Sequence, residues 1–209
     1  MSALASHRTD IIPAGDDDGY LWVLKSTKQP VNGVVCSYDN GKVGIEYFYK
    51  NGQESERKHY HYDKSGNVTS ENLYKNGTLK LEWRIVREYI DGKLNSETSY
   101  NGTDKKEGIE RRYYKNGTLF HEIPYKDDKE EGMVKIYYSS GKLLAEIPYN
   151  NGKVEEIERW YYENGQLKTE TPGKDDKQEG TEKEYSESGK LIRETPYKNG
   201  KKRRSWKKV

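Results

Sequence analysis

The sequence predicts an all-β chain: an elongated solenoid of about seven 24-residue antiparallel β-hairpin repeats forming one long twisted sheet, with a short N-terminal cap. Three observations point to it. A glycine returns at 41, 66, 92, 117, 141, 165 and 189. A second turn series lies midway between these: Gly52, Gly77, Gly102, Lys126-Asp127-Asp128-Lys129, Gly152, Lys174-Asp175-Asp176-Lys177 and Gly200. Asn-Gly recurs in both series, as at 40–41, 51–52, 116–117 and 199–200, and it suits the two positive φ angles of a type I′ hairpin turn. Such hairpins bury no core alone and must stack.

Composition at first argues against any fold. Leu, Ile, Val and Phe make up 35 of 209 residues, about 17%, below the roughly 20% at which disorder is suspected. Yet there are 19 Tyr and 4 Trp, and Lys+Arg 37 nearly balances Asp+Glu 35, whereas disorder goes with few aromatics and high net charge. No apolar run approaches the 18 residues of a transmembrane helix.

Residues 1–37 are expected to form the cap, with Tyr20 to Leu24 and Val31 to Val35 as its apolar segments. Met1 to Gly15 lack the basic-then-apolar pattern of a secretory signal, which favours a cytoplasmic location; a periplasmic or cell-surface one would need a native signal that has been removed. Asp16-Asp17-Asp18-Gly19 lacks the alternating ligands of an EF-hand loop and reads as a solvated turn. Cys36, the single cysteine, has no disulfide partner and reads as a small core residue.

Residues 38–200 are expected to carry the repeats. Two positions after each anchor glycine stand Val43, Val68, Leu94, Leu119, Leu143, Leu167 and Leu191; eight after stand Tyr49, Tyr74, Tyr100, Tyr125, Tyr149 and Tyr197, with Gly173 the exception. Strict alternation puts both positions on one face. Two-residue turns would pair Tyr38 with Val43, Tyr89 with Leu94, Tyr114 with Leu119, Tyr138 with Leu143 and Tyr162 with Leu167, while the longer spacing at Tyr62 and Tyr185 predicts a wider turn or bulge. Five after each glycine stands a glutamate: Glu46, Glu71, Glu97, Glu122, Glu146, Glu170 and Glu194. The same register sets Arg111 against Glu122, Lys135 against Glu146 and Arg159 against Glu170, so the column reads as a structural ion-pair ladder, interrupted where Val86 faces Glu97. Pro124, Pro148, Pro172 and Pro196 are expected to close their strands just before the tyrosine.

Residues 201–209 form a basic tail. From Lys198 onward there are seven basic residues and no acid; removing these seven from 37 leaves 30 basic against 35 acidic, a charge of −5 for 1–197. The tail reads as a solubilising end, with Trp206 closing the stack, and the acidic body argues against nucleic acid as the partner.

No catalytic constellation is evident. The histidines are His7, His59, His61 and His121, and no Ser/His/Asp or Cys/His grouping recurs. His59 and His61 share a strand face and, with His121, are the nearest approach to a metal set, but they also occupy ordinary strand positions. No enzyme activity, metal, cofactor or small-molecule substrate is expected.

The units Tyr-Tyr-Glu-Asn-Gly-Gln-Leu-Lys-Thr-Glu (161–170) and Glu-Gly-Met-Val-Lys-Ile-Tyr-Tyr-Ser-Ser-Gly-Lys-Leu-Leu-Ala-Glu-Ile-Pro-Tyr (131–149) resemble the bacterial variant of the MORN repeat, found in the YwqK-like family of antitoxin or immunity proteins. The resemblance implies a non-enzymatic scaffold that binds and neutralises a cognate toxin. The −5 body suits a basic, nuclease-type partner. The alternative is a cell-surface or envelope scaffold or adhesin. Expected contact residues are Tyr113, Tyr137, Trp160 and Tyr161, with Asp127, Asp128, Glu130 and Glu131 in one acidic turn and Asp175, Asp176 and Glu179 in another.

Overall fold

The structure, a computed structural model, describes residues 6–7, 11–14, 21–24, 32–75, 81–203 and 207–208. Among these every regular element is a strand, nearly all paired antiparallel in consecutive hairpins. The chain divides into two compact units, Met1–Arg87 with Tyr100–Asp104, and Glu88–Ser99 with Lys105–Val209. The segment Asp16–Gly19 and Trp206 lie outside the described residues.

In the first unit, Ile11–Ala14 and Leu21–Leu24 make a separate two-stranded sheet. The main sheet begins at Gly33–Asp39, ahead of the expected start at Tyr38, with Ser6–His7 parallel to it. It continues through Lys42–Lys50, Gln53–Tyr62 and Val68–Lys75 into Leu81–Ile90. Val35, Tyr47 and Tyr49 form its buried cluster, with Ile45 against it. These four lie on the face opposite Glu46, because alternate residues point to opposite sides.

The second unit repeats one design. A six-residue strand, such as Gly108–Tyr113, leads through a loop to an eight-residue strand, such as Leu119–Lys126, then a tight turn and a two-residue strand, such as Lys129–Glu130. Gly132–Tyr137, Glu156–Tyr161 and Gly180–Tyr185 open the next three units. Strand pairing continues past Gly200: Lys201–Lys202 pairs with Tyr197 and Lys198, and Lys207–Lys208 with Arg193 and Glu194.

The tight turns carry paired positive φ angles, as at Asn151 and Gly152 (52° and 80°). Asp127-Asp128 and Asp175-Asp176 make the same turn without glycine, with φ of 49° and 68°, and 49° and 60°. Aspartate tolerates this region because its short side chain bonds locally.

The anchor turns depart from expectation. Asn40-Gly41 is a two-residue turn, and Tyr38 pairs with Val43 as the spacing predicts. In the second unit, however, Tyr113 pairs with Leu119, Tyr137 with Leu143 and Tyr161 with Leu167. Tyr114, Tyr138 and Tyr162 instead open five-residue loops, in which the Tyr114 N–H donates to the Thr118 carbonyl and the Gly117 N–H to the Tyr114 carbonyl. The wider form expected at Tyr62 and Tyr185 is present there, with Tyr62 opposite Val68 and Tyr185 opposite Leu191.

Every such hairpin also steps over one residue: Gly44, Thr69, Phe120, Leu144, Lys168 and Ile192 have no partner in the register. This bulge breaks the alternation. Leu119 therefore joins Tyr113 on the Glu122 face, whereas Tyr125 stays on the opposite one. The prolines do not end their strands either, since Leu119–Lys126 runs through Pro124. The adjoining chain bulges at Glu131, whose N–H donates to the Pro124 carbonyl, and Gly132 follows at φ 108°. Proline fits a sheet at such a bulge.

Candidate functional site

The glutamate column stands beside cations in the register, and Glu71, Glu97, Glu122 and Glu170 close ion pairs with them. On one face of the second unit Arg111, Glu122, Lys135, Glu146, Arg159, Glu170, Lys183 and Glu194 stand opposite one another in turn. Arg111 bridges Glu97 (3.6 Å) and Glu122 (3.3 Å), and Arg159 reaches Glu170 at 3.7 Å. Glu97, which the sequence left facing Val86, thus finds its cation in Arg111. In the first unit Lys58 and Arg87 lie 3.1 and 3.6 Å from Glu71. Tyrosines complete the set: Tyr60 donates to Glu46 (2.7 Å), Tyr137 to Glu122 (2.9 Å) and Tyr161 to Glu146 (2.9 Å). Burial and then the Glu122 carboxylate push the Tyr137 hydroxyl up to about 12.

Two further systems tie each repeat of the second unit to the next. Tyr114, Tyr138 and Tyr162 donate their hydroxyls to the main-chain carbonyls of Tyr137, Tyr161 and Tyr185, at 2.8, 2.7 and 2.9 Å. Asn116 and Asn164 bridge loops in the same way, to the carbonyls of Ser139 and Glu187. At the tight turns, Asp128 accepts the Lys106 N–H and Asp176 the Val154 N–H, while Asp127 and Asp175 pair with Lys105 and Lys153 at 3.1 Å. Glu131 accepts the Asn151 N–H and Glu179 the Asn199 N–H, both at 2.7 Å. The half-buried Glu130 contributes its main-chain carbonyl to Gly152 at 2.9 Å.

The face opposite the ladder buries more. Glu110 is only 3% exposed and is held by Lys106 (2.6 Å) and Arg112 (2.5 Å). Burial raises its pKa, but the hydrogen bonds and charges of Lys106 and Arg112 outweigh that and leave it below the ordinary carboxylate value. Glu158 occupies the equivalent place two repeats on; burial dominates there, and its pKa is raised despite a hydrogen bond from Trp160. His59 and His121 are each pushed down, burial being the largest cause, and each has one buried ring nitrogen without a hydrogen-bond partner. Among the described residues no group of three or more His, Cys, Asp or Glu is placed to hold a metal ion.

The structure divides the expected contact residues between two faces. Tyr113, Tyr137 and Tyr161 are half-buried on the ladder face, whereas Trp160, paired with Ala145 and Thr169, lies on the other. Except for Glu130, each carboxylate of the acidic turns already bonds the neighbouring repeat. Ile109 and Met133, each 38% exposed, flank the ladder beside Pro124 and Pro148 and were missed in the sequence. They occupy a position that is Ile157 and Thr181 in the next two repeats, so the 24-residue apolar recurrence that marks it runs through three of the four repeats.

A recess of about 140 Å³ is also new. Ile90, Asp91, Lys93, Leu94, Asn95, Tyr113, Tyr114 and Lys115 line it, where the Asp91-Gly92 turn meets the loop 114–118.

Residues 106–127, 130–156, 157–175 and 178–199 match the family described as the MORN repeat variant. Each match spans one hairpin of the second unit, so this stretch is similar to a run of MORN-variant repeats, and the chain carries a repeat scaffold. No curated protein matches the chain.

Proposed function

We propose that the chain is a non-enzymatic protein-binding scaffold, and that its partner is a toxin which it holds and neutralises. The observation that carries the scaffold reading is the contrast, in the second unit, between side chains that bond an adjacent repeat and large apolar ones that stay exposed. The recurring tyrosines and glutamates bond the next repeat and the turn aspartates the preceding one, and so build the frame. Ile109 and Met133 are large, apolar and exposed, at a position that reads Ile, Met, Ile and Thr along the four repeats. Repeat proteins present variable surface residues on a regular frame in this way. The contact surface on this reading is the ladder face, with Tyr113, Tyr137 and Tyr161 beside Ile109 and Met133. The acidic turns at Asp127–Glu131 and Asp175–Glu179 lie at its margin and contribute the carboxylate oxygens not bonded within the frame.

The resemblance to the YwqK-like antitoxins supplies the toxin reading, and the −5 charge of 1–197 supports a basic partner. A growth assay tests it: the product of the gene adjacent to this one is induced alone and together with this chain. Growth arrest by the neighbour, rescue by co-expression and a co-purifying complex are expected. Arrest without rescue, or no complex, overturns the toxin reading.

A further inference from the structure

We infer that the recess beside Tyr113 receives one aromatic side chain of a protein partner, followed in that partner by a carboxylate that pairs with Lys115. The inference rests on the protein-binding reading but not on the partner being a toxin. The recess arises from a mismatch in the repeat. From Tyr114 onward, five-residue loops follow one another and are fastened by the Tyr114–Tyr137 and Asn116–Ser139 bonds. The preceding turn, Asp91-Gly92, has only two residues, with φ of 51° and 73°, and Lys93 Nζ reaches the Lys115 carbonyl at 3.0 Å. The shorter turn leaves the flank of the first long loop uncovered.

Size and chemistry restrict the occupant. The recess itself, at about 140 Å³, matches the ~150 Å³ apolar cavity known to accept benzene, and it adjoins a hollow of about 390 Å³ along Lys93, Leu94, Tyr113, Asn116 and Gly117 that leaves room for the chain bearing the aromatic. Ile90, Leu94 and the two tyrosines supply apolar walls, and Ile90 is 51% exposed at the rim. A single aromatic anchor in such a pocket is the usual form of an interface hot spot. Three charges stand around it. Lys93 is engaged with the carbonyl of residue 115, Asp91 lies on the turn side, and Lys115 is exposed with no ion-pair partner among the described residues. A carboxylate next to the anchor is therefore drawn to the Lys115 side and away from Asp91.

Titration of the ¹⁵N-labelled full chain with acetyl-Phe-Asp-amide, acetyl-Phe-Lys-amide and acetyl-Ser-Asp-amide tests this by amide chemical shifts. Saturable shifts at Leu94, Tyr113 and Tyr114 are expected with Phe-Asp, several-fold weaker binding with Phe-Lys, and none with Ser-Asp. Leu94→Trp, which fills the recess, is expected to weaken Phe-Asp at least tenfold. Lys115→Glu, a change at an exposed residue that leaves folding intact, is expected to reverse the Asp-over-Lys preference. No saturable shift with Phe-Asp, equal shifts with Ser-Asp, or an unchanged preference in Lys115→Glu overturns the inference. These outcomes are independent of the growth assay, so failure of one leaves the other standing.

Discussion

Glu110 and Glu158 occupy equivalent places two repeats apart, and their surroundings move their acidities in opposite directions. Glu110 has a lowered folded-state pKa, because Lys106 and Arg112 outweigh its burial. It contributes stability above the unfolded carboxylate value, and that contribution is lost as pH falls through the folded value. Glu110→Gln is expected to cost about 1–3 kcal/mol at pH 7, with the difference from the parent closing well below pH ~4, in urea denaturation at each pH. Glu158 has a raised pKa from burial. Its charge therefore weakens the fold as pH rises through the unfolded value, fully so above the folded one. Glu158→Gln is expected to raise stability at pH 7 and to leave it unchanged in acid; a loss at pH 7 would show that the Trp160 bond outweighs desolvation. A second pair of residues explains the one break in the tyrosine column. Gly33, Gly108, Gly132 and Gly180 stand opposite Tyr49, Tyr125, Tyr149 and Tyr197, but Glu156 stands opposite Gly173. Glu156 adopts φ 63° where the other three repeats of the second unit place glycine, so the small residue has changed strands. Glu156→Gly is expected to stabilise by up to about 1 kcal/mol in the same denaturation assay. Gly173 was visible in the sequence as an exception. Its partner was not, because the glycine column opposite has no turn signature of its own.

At the scale of the hairpin, contacts between repeats override the local preference of the turn. Asn-Gly favours a two-residue type I′ turn, and Asn40-Gly41 makes one. Asn116-Gly117 does not: its loop widens so that the Tyr114 hydroxyl and the Asn116 amide both reach the next repeat. The double tyrosines at 113–114, 137–138 and 161–162 signal this, since the first pairs across the hairpin and the second bonds onward. Tyr138→Phe removes only the hydroxyl that donates to the Tyr161 carbonyl and is expected to cost about 0.5–1.5 kcal/mol by thermal or urea unfolding. No measurable loss would show that the bond is not part of the frame. The pairing of the glutamate column was legible because the one-residue bulge offsets the wider loop and restores the two-residue-turn register beyond it, so Arg111, Lys135 and Arg159 fall opposite Glu122, Glu146 and Glu170 as the spacing predicts. The bulge three residues after each anchor glycine was not legible. Its occupants, among them Gly44, Thr69, Phe120 and Lys168, share no size or polarity. It alone moved Leu119 and its equivalents to the ladder face.

For the molecule as a whole, the 24-residue period was the strongest signal in the sequence, and it specified the all-β hairpin architecture of both units. The candidate surface was only partly legible. Its tyrosines and acids were named because they recur, yet most of them bond within the frame, and the exposed Ile109, Met133 and Lys115 stand out only once the frame is known. The acidic turns illustrate the limit: Asp128 and Asp176 look like exposed charge in the sequence but accept main-chain N–H groups of the preceding unit. A frame held by bonds from each repeat to the next should tolerate loss of one whole repeat but not of half of one. Deleting residues 109–132 joins Gly108 to Met133, sets Gly108 opposite Tyr149 as Gly132 was, and keeps the face of every later strand. Deleting 109–120 removes a single strand and its loop. Urea unfolding of the two variants, followed by circular dichroism, is the most direct measurement. The 24-residue deletion should keep a single cooperative transition with a lowered midpoint, and the 12-residue deletion should lose it. Equal damage by both deletions, or a 24-residue variant that unfolds without a cooperative transition, would contradict a fold built from interchangeable, mutually bonded repeats.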